Sequence, residues 1–261
     1  MLRWFHHYSD FSIFLIIFMA VVLPIVVAPY AIRRITGWGR HPGLSNGAWE
    51  AVKLLSSFAG AVIAFSLVQV HGNLRNAADL VSREASAMTE ADRLMFRIGT
   101  AEAERARSLM HAYTKSVISV DWPAMKFTHA QGNHATDDAF TEVLHAVRKM
   151  VADNPRQQAV LDRLLNALEK TFDAREDRLS ASEWQLPGLF WWAIVALMTL
   201  LLGLVSLMEC SAERTISVTG IAAGLALMLA LLIIIDGPFD GETSVQPSAI
   251  ERSLGDMLAR K

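Results

Sequence analysis

Four stretches of the chain are apolar almost without interruption: Phe11 to Ile32, Trp49 to Val70, Pro187 to Met208 and Ile216 to Ile235. At ~1.5 Å of rise per residue, each is long enough to cross ~30 Å of hydrocarbon. The pattern predicts a polytopic membrane protein with four transmembrane helices. The second run is the most polar, carrying Glu50, Lys53, Ser56, Ser57, Ser66 and Gln69. It fits either a helix packed behind others or one that meets water. The first run has too long an apolar core for a signal peptide, little positive charge ahead of it and no small-residue cleavage site. It reads as a retained helix.

Between spans two and three the pattern changes to polar sequence with a helical period. Leu74, Ala77, Ala78, Val81, Ala85, Met88 and Met95 recur at three to four residues and mark one buried stripe. No proline separates this stretch from the second span, so one helix is expected to run on past His71 and Gly72. A second helix covers Ala101 to Val120, with Leu109, Tyr113, Val117 and Val120 on one side. "DWPAM" is expected to end it, because Pro123 disfavours the αR conformation at Trp122. "THAQGNHATDD" has the composition of a loop. A third helix is expected from Asp137 to Ala152. A fourth starts near Pro155, a first-turn proline, and reaches Ser182 with Val160, Leu161, Leu164, Leu168 and Phe172 inward.

No segment alternates as a strand would, so the expected class is all-α. Residues 1–73 hold the first two transmembrane helices and their loop. Residues 74–183 form a helical extramembrane domain inserted between spans two and three, 184–236 hold the last two spans, and 237–261 are a C-terminal tail.

Charge narrows the function classes. With 24 Lys and Arg against 26 Asp and Glu, the net charge of −2 offers no footprint for nucleic acid. The single cysteine, Cys210, rules out an intramolecular disulfide and reads as an inert thiol. Arg33, Arg34 and Arg40 after the first span favour a cytoplasmic first loop and an outside central domain. Arg3, Arg75, Arg83, Lys170, Arg175, Arg178 and Arg252 on the other side oppose that orientation. His129, His134, Asp137 and Asp138 cluster in sequence, but their spacing matches no helix face, which fits a solvated loop better than a metal site. "WFHHYSD", with His6, His7 and Asp10, suits an interfacial belt. No nucleophile–base pair, P-loop or dinucleotide fingerprint occurs, so the chain does not read as an enzyme.

The end of the fourth span poses a question. "IDGPFDGETSVQP" places Asp236 at a helix C-terminus, where the dipole is already negative. One reading is a stop-and-anchor turn in which Arg75, Arg175 and Arg178 offer guanidinium forks to Asp236 and Phe239 turns back to the headgroups. Another is a cation site of Asp236, Asp240 and Glu242, for which calcium is the natural ion, although no EF-hand loop is present. No cofactor is otherwise required.

This segment resembles the Asp-x-Pro-Phe-x-Gly signature of the bestrophin-like family of bacterial and plant membrane proteins. It is also similar to the acidic segment after the last span of true bestrophins. Further marks are Arg75, Val81, Glu84 and Ala85, then Tyr113 with "DWPAM", then "AREDRLSASEWQLPGLFW" with Arg175, Arg178, Pro187 and Trp191. Two features depart from true bestrophins: "LRNAADL" replaces an Arg-Trp-Trp-type run, and the acidic cluster is thinned. The resemblance implies a homo-oligomeric ring in the bacterial inner membrane, a pentamer, conducting small ions through a central pore whose neck is lined by the second span. It also implies a cytoplasmic central domain, against the charge of the first loop.

Within the second span, Phe58, Val62, Phe65 and Gln69 lie on one face, with small Ser57, Gly60, Ala61 and Ala64 beside them. Small residues let helices approach closely in lipid. A ring of phenylalanines would form a hydrophobic constriction that gates by dewetting; the plain alternative is ordinary helix packing. For the whole protein the expectation is an oligomeric, anion-conducting channel, and the alternative is a non-conducting scaffold or sensor whose helical domain binds a ligand or partner.

Overall fold

A computed structural model describes residues 9–36, 42–128, 133–209 and 211–260. Arg3, His6, His7, Arg40, His129 and Cys210 lie outside them. Among the described residues every regular element is helical: α1 (Asp10–Thr36), α2 (Pro42–Ile98), α3 (Ala101–Ser116), a π-helical turn (Val117–Asp121), α4 (Trp122–Thr128), α5 (His134–Arg148), α6 (Pro155–Ala181), α7 (Gly188–Leu207), α8 (Ala212–Ile235) and α9 (Ser248–Ala259). The helices form two compact units, Met1–Gly72 with Gln185–Thr243, and Asn73–Trp184 with Ser244–Lys261. The long α2 contributes its first part to one and its remainder to the other, so the helix does run on past Gly72.

The first unit holds the four helices long and apolar enough to span a membrane. α1 packs along α8 and α7. Ile13 and Ile17 meet Ala230, Ile233 and Ile234 at one end. Val52, Ala59 and Ile63 of α2 join Ile194, Leu201, Ala222 and Leu225 in the larger core. α8 is the central helix: 39% of its apolar window is buried, against 17% for α1 and α7. Outward faces remain apolar, with Phe11, Met19, Leu189, Trp192 and Ile216 all exposed. Helices that are apolar all round belong in lipid. Beyond the apolar core, Ser45 Oγ accepts the Glu209 N–H at 2.8 Å and Arg214 donates to Asn46 Oδ1 at 2.8 Å.

In the second unit α3 packs against α5 and α9. Thr100, Asn133 and Asn154 cap α3, α5 and α6 by accepting backbone N–H groups of the first turn. The Asn133 cap starts α5 at His134, three residues before the expected start at Asp137, so His134 is helical where a loop was expected. Of the α2 stripe, Ala77, Val81, Ala85, Met88 and Met95 are buried, while Ala78 is exposed.

Pro123 does not end the helix as its sequence suggests. Trp122 takes αR angles, φ −61° and ψ −50°, and its N–H reaches back five residues to the Val117 carbonyl. The wide π turn moves the preceding carbonyls away from the proline ring, whose clash with the carbonyl four residues back would otherwise break the helix. The C-terminal tail also contains more order than its composition implies. Ile250, Ser253 and Met257 make a buried face on α9 at helical spacing.

Candidate functional site

The second span presents two unlike faces. Val52, Ala59, Ile63, Ser66 and Val70 are buried, and the Ser66 hydroxyl is spent on its own helix, donating to the Val62 carbonyl at 2.9 Å. The opposite stripe is uncovered: Leu54, Ser57, Phe58, Ala61, Phe65, Val68 and Gln69 are exposed. Phe58 and Phe65 keep 66% and 64% of their surface open. Phe65 touches the Phe190 ring at a centroid distance of 6.3 Å. Val62 is half-buried against the core. Of the small residues, Ser57 and Ala61 lie on the open stripe, whereas Gly60 turns inward, where an added Cβ would sit 3.9 Å from Leu225. Ala64 is half-buried. The stripe alternates bulky and small groups along one helix face.

The turn after α8 places each of its acids differently. Asp236 Oδ1 accepts the Leu186 N–H at 2.8 Å, one residue before the proline that caps α7. Glu242, exposed, accepts the Asp10 N–H at 3.4 Å at the start of α1, and Thr243 donates its hydroxyl to Asp10. A carboxylate at a helix N-terminus is favoured by the dipole. The acid that ends α8 therefore serves the entry to α7, which answers why the span stops on aspartate. Asp240 is buried, donates its N–H to the Gly237 carbonyl at 3.2 Å, and packs beneath Gly237, whose φ of +119° is open to glycine. A Cβ on Gly237 would lie 2.9 Å from the Asp240 carboxylate. Phe239 is buried. Among the described residues no group of three His, Cys, Asp or Glu side chains is arranged to hold a metal ion.

Arg175 and Arg178 lie in the core of the second unit. Both fall on the stripe of α6 that also carries Leu164, Leu168 and Thr171. Arg178 forks Glu84 through Nε and Nη2, the latter at 3.1 Å, and stacks over the Trp122 ring at 5.4 Å. Its Nη2 also reaches Asp121 Oδ2 at 3.4 Å, the oxygen that accepts Arg175 Nε at 2.9 Å. Arg175 Nη1 bonds Asp137 at 2.6 Å. Burial works to lower the pKa of both guanidiniums, but the bonds to Glu84 and Asp121 outweigh it and leave them raised. Burial, and next the charge of Glu84, push the Tyr113 phenol well above its ordinary range, so it stays neutral. Tyr113 Oη, Asp121 Oδ1 and Arg175 Nη2 are sealed from solvent and have no hydrogen-bond partner among the described residues. Asp121 is the last residue of the π turn and is buried there. Arg75 is exposed.

The roles of Asp121 and Asp137 in this network escaped the sequence reading. The available signal was the phase of α6: arginines at positions 175 and 178 continue an apolar stripe and so require buried counter-charges.

A second buried network ties α9 down. Asp92 accepts Arg107 Nε and pairs with His111 Nε2, each at 2.8 Å, and also accepts Arg260 Nη1. Arg107 Nη2 donates to the carbonyls of Met257, at 2.9 Å, and Arg260.

Comparison with known proteins gives a consistent picture. The profile of the Bestrophin-like domain matches residues 17–250. Among curated proteins none matches the chain. Among solved structures, a bacterial Bestrophin homolog from Klebsiella pneumoniae is similar with a TM-score of 0.70 at 12% identity, over 95% of this chain and 99% of its own. A singly substituted form of that homolog gives 0.71 at 12% identity, over 94% and 99%. A protein described only as a membrane protein, also substituted, gives 0.66 at 13% identity, over 96% and 99%. At such identities the likeness is one of fold.

Proposed function

Because the chain belongs to the Bestrophin-like family, we propose that it is a homo-oligomeric ion channel of the bacterial inner membrane, a pentameric ring that conducts anions. In this reading the open face of α2 turns to the ring axis, and Phe58, Val62, Phe65 and Gln69 line its neck. The observation that carries the reading is the uncovered stripe itself. A span bearing Glu50, Lys53 and Gln69 is the poorest of the four for lipid, yet it leaves most of one face exposed, with Phe58, Phe65 and Gln69 open. Apposed phenylalanine rings at the axis would make a constriction that opens and closes by wetting.

The test is flux through the purified full chain in liposomes under a chloride gradient. Wild-type protein should discharge the gradient faster than protein-free vesicles, and Phe65→Ala should raise the rate by widening the neck. Rates equal to those of empty vesicles for both proteins would overturn the channel reading. Discharge carried by the cation alone would overturn its anion selectivity.

A further inference from the structure

The second unit carries a concentration of positive charge that the channel reading does not use. Arg93 and Arg97 stand one turn apart on α2, Arg163 projects from α6 and Arg252 from α9, and all four line one recess of ≈ 780 Å³ with Glu90 and Asp256. All four arginines are exposed, and among the described residues none of their guanidiniums is paired with a carboxylate. Arg252 Nε donates only to the Ser248 carbonyl of its own helix, at 3.2 Å. At the wall of the recess the Thr89 and Ser253 hydroxyls meet at 2.6 Å.

Like charges one helical turn apart repel, and here two more converge on them from other helices. The two acids present leave a positive balance and do not engage the guanidiniums. An arginine offers a planar, rigid fork that matches the oxygens of a phosphate, and several such forks suit an anion bearing several phosphates better than a lone monovalent ion. The volume lies within the roughly 300–1,000 Å³ of small-ligand sites. We propose that this recess binds a multiply charged phosphate group, and that Arg93, Arg97, Arg163 and Arg252 hold it.

The group can be a soluble polyphosphate or a phosphorylated lipid headgroup, and titration calorimetry on the detergent-purified full chain separates the two. One arm uses inorganic triphosphate; the other uses nanodiscs with and without a phosphoinositide. Saturable binding in the first arm is expected, weakened by about tenfold or more in R93Q/R252Q, on the loss of two forks. Binding that appears only with phosphoinositide and is lost in the same variant assigns the group to lipid. Asp256→Asn should tighten binding, a gain that damage to the fold cannot produce. No saturable binding in either arm, or equal affinity in wild type and R93Q/R252Q, overturns the proposal. A second copy of the chain filling the recess would give the first of these results. Neither readout depends on ion flux.

Discussion

Arg178 is a fully buried cation that meets a carboxylate fork from Glu84, an indole face from Trp122, a shared oxygen of Asp121 and, at Nη1, the Met125 sulfur. Removing one member of such a pair leaves the other charge buried and alone. Arg178→Met is therefore expected to cost about 3–5 kcal/mol, read as a fall in the thermal unfolding midpoint in detergent. Adding Glu84→Gln to that variant should restore part of the loss, because the stranded carboxylate is removed. An unchanged midpoint in Arg178→Met would show that the pair contributes nothing. The spacing of Arg175 and Arg178 was visible in the sequence, but the partners were not: Glu84 and Asp121 are distant along the chain and become neighbours only through packing.

Among the elements, α9 shows how much a short helix depends on what it meets. Twelve residues are marginal as an isolated helix. Ile250 and Met257 bury one face, Ser253 donates to the Ala85 carbonyl at 3.1 Å, and Arg107 supplies donors to carbonyls at the C-terminal end. Arg107→Met removes those donors and one of the three cationic or imidazole partners of Asp92, leaving His111 and Arg260. Amide hydrogen exchange across residues 248–259 should accelerate, while that of α6 should hold. Equal exchange in wild type and variant would mean that α9 is secured without Arg107, by its apolar face and its bonds from Ser253 and Arg260. Local rules served well where a first-turn residue or a period decided the outcome, as at Pro155. They failed at Pro123, where a π turn gives the proline room that an α turn lacks.

For the whole molecule, the uneven burial of the spans has a consequence for assembly. α8 is the most buried of the four, whereas α1, α7 and the open face of α2 leave more of their large apolar side chains uncovered. Lipid satisfies most of that surface, but close approach between copies is favoured where small residues interrupt large ones, as Ser57 and Ala61 do between Leu54, Phe58 and Phe65. Native mass spectrometry of the detergent-released particle should give an integral multiple of the 28.8 kDa chain, five for the proposed ring. A single-chain mass would remove the axis on which the neck depends.

The apolar runs, the 3–4 periodicity and the absence of strand-like alternation determined by themselves that this is an all-α membrane protein with four spans. Those signals are local, arising from the cost of exposing apolar groups and from the geometry of one helix. The "DGPFDG" segment pointed to the family without revealing what its acids touch. Tertiary structure alone decided that Asp236 serves the entry to α7, that Glu242 sits at the start of α1, and that Arg175 and Arg178 enter a buried network. Each depends on a counter-charge or N–H supplied by another part of the chain. Charge and hydrogen-bond capacity are written in a residue, but the partner that satisfies them is chosen when the helices pack.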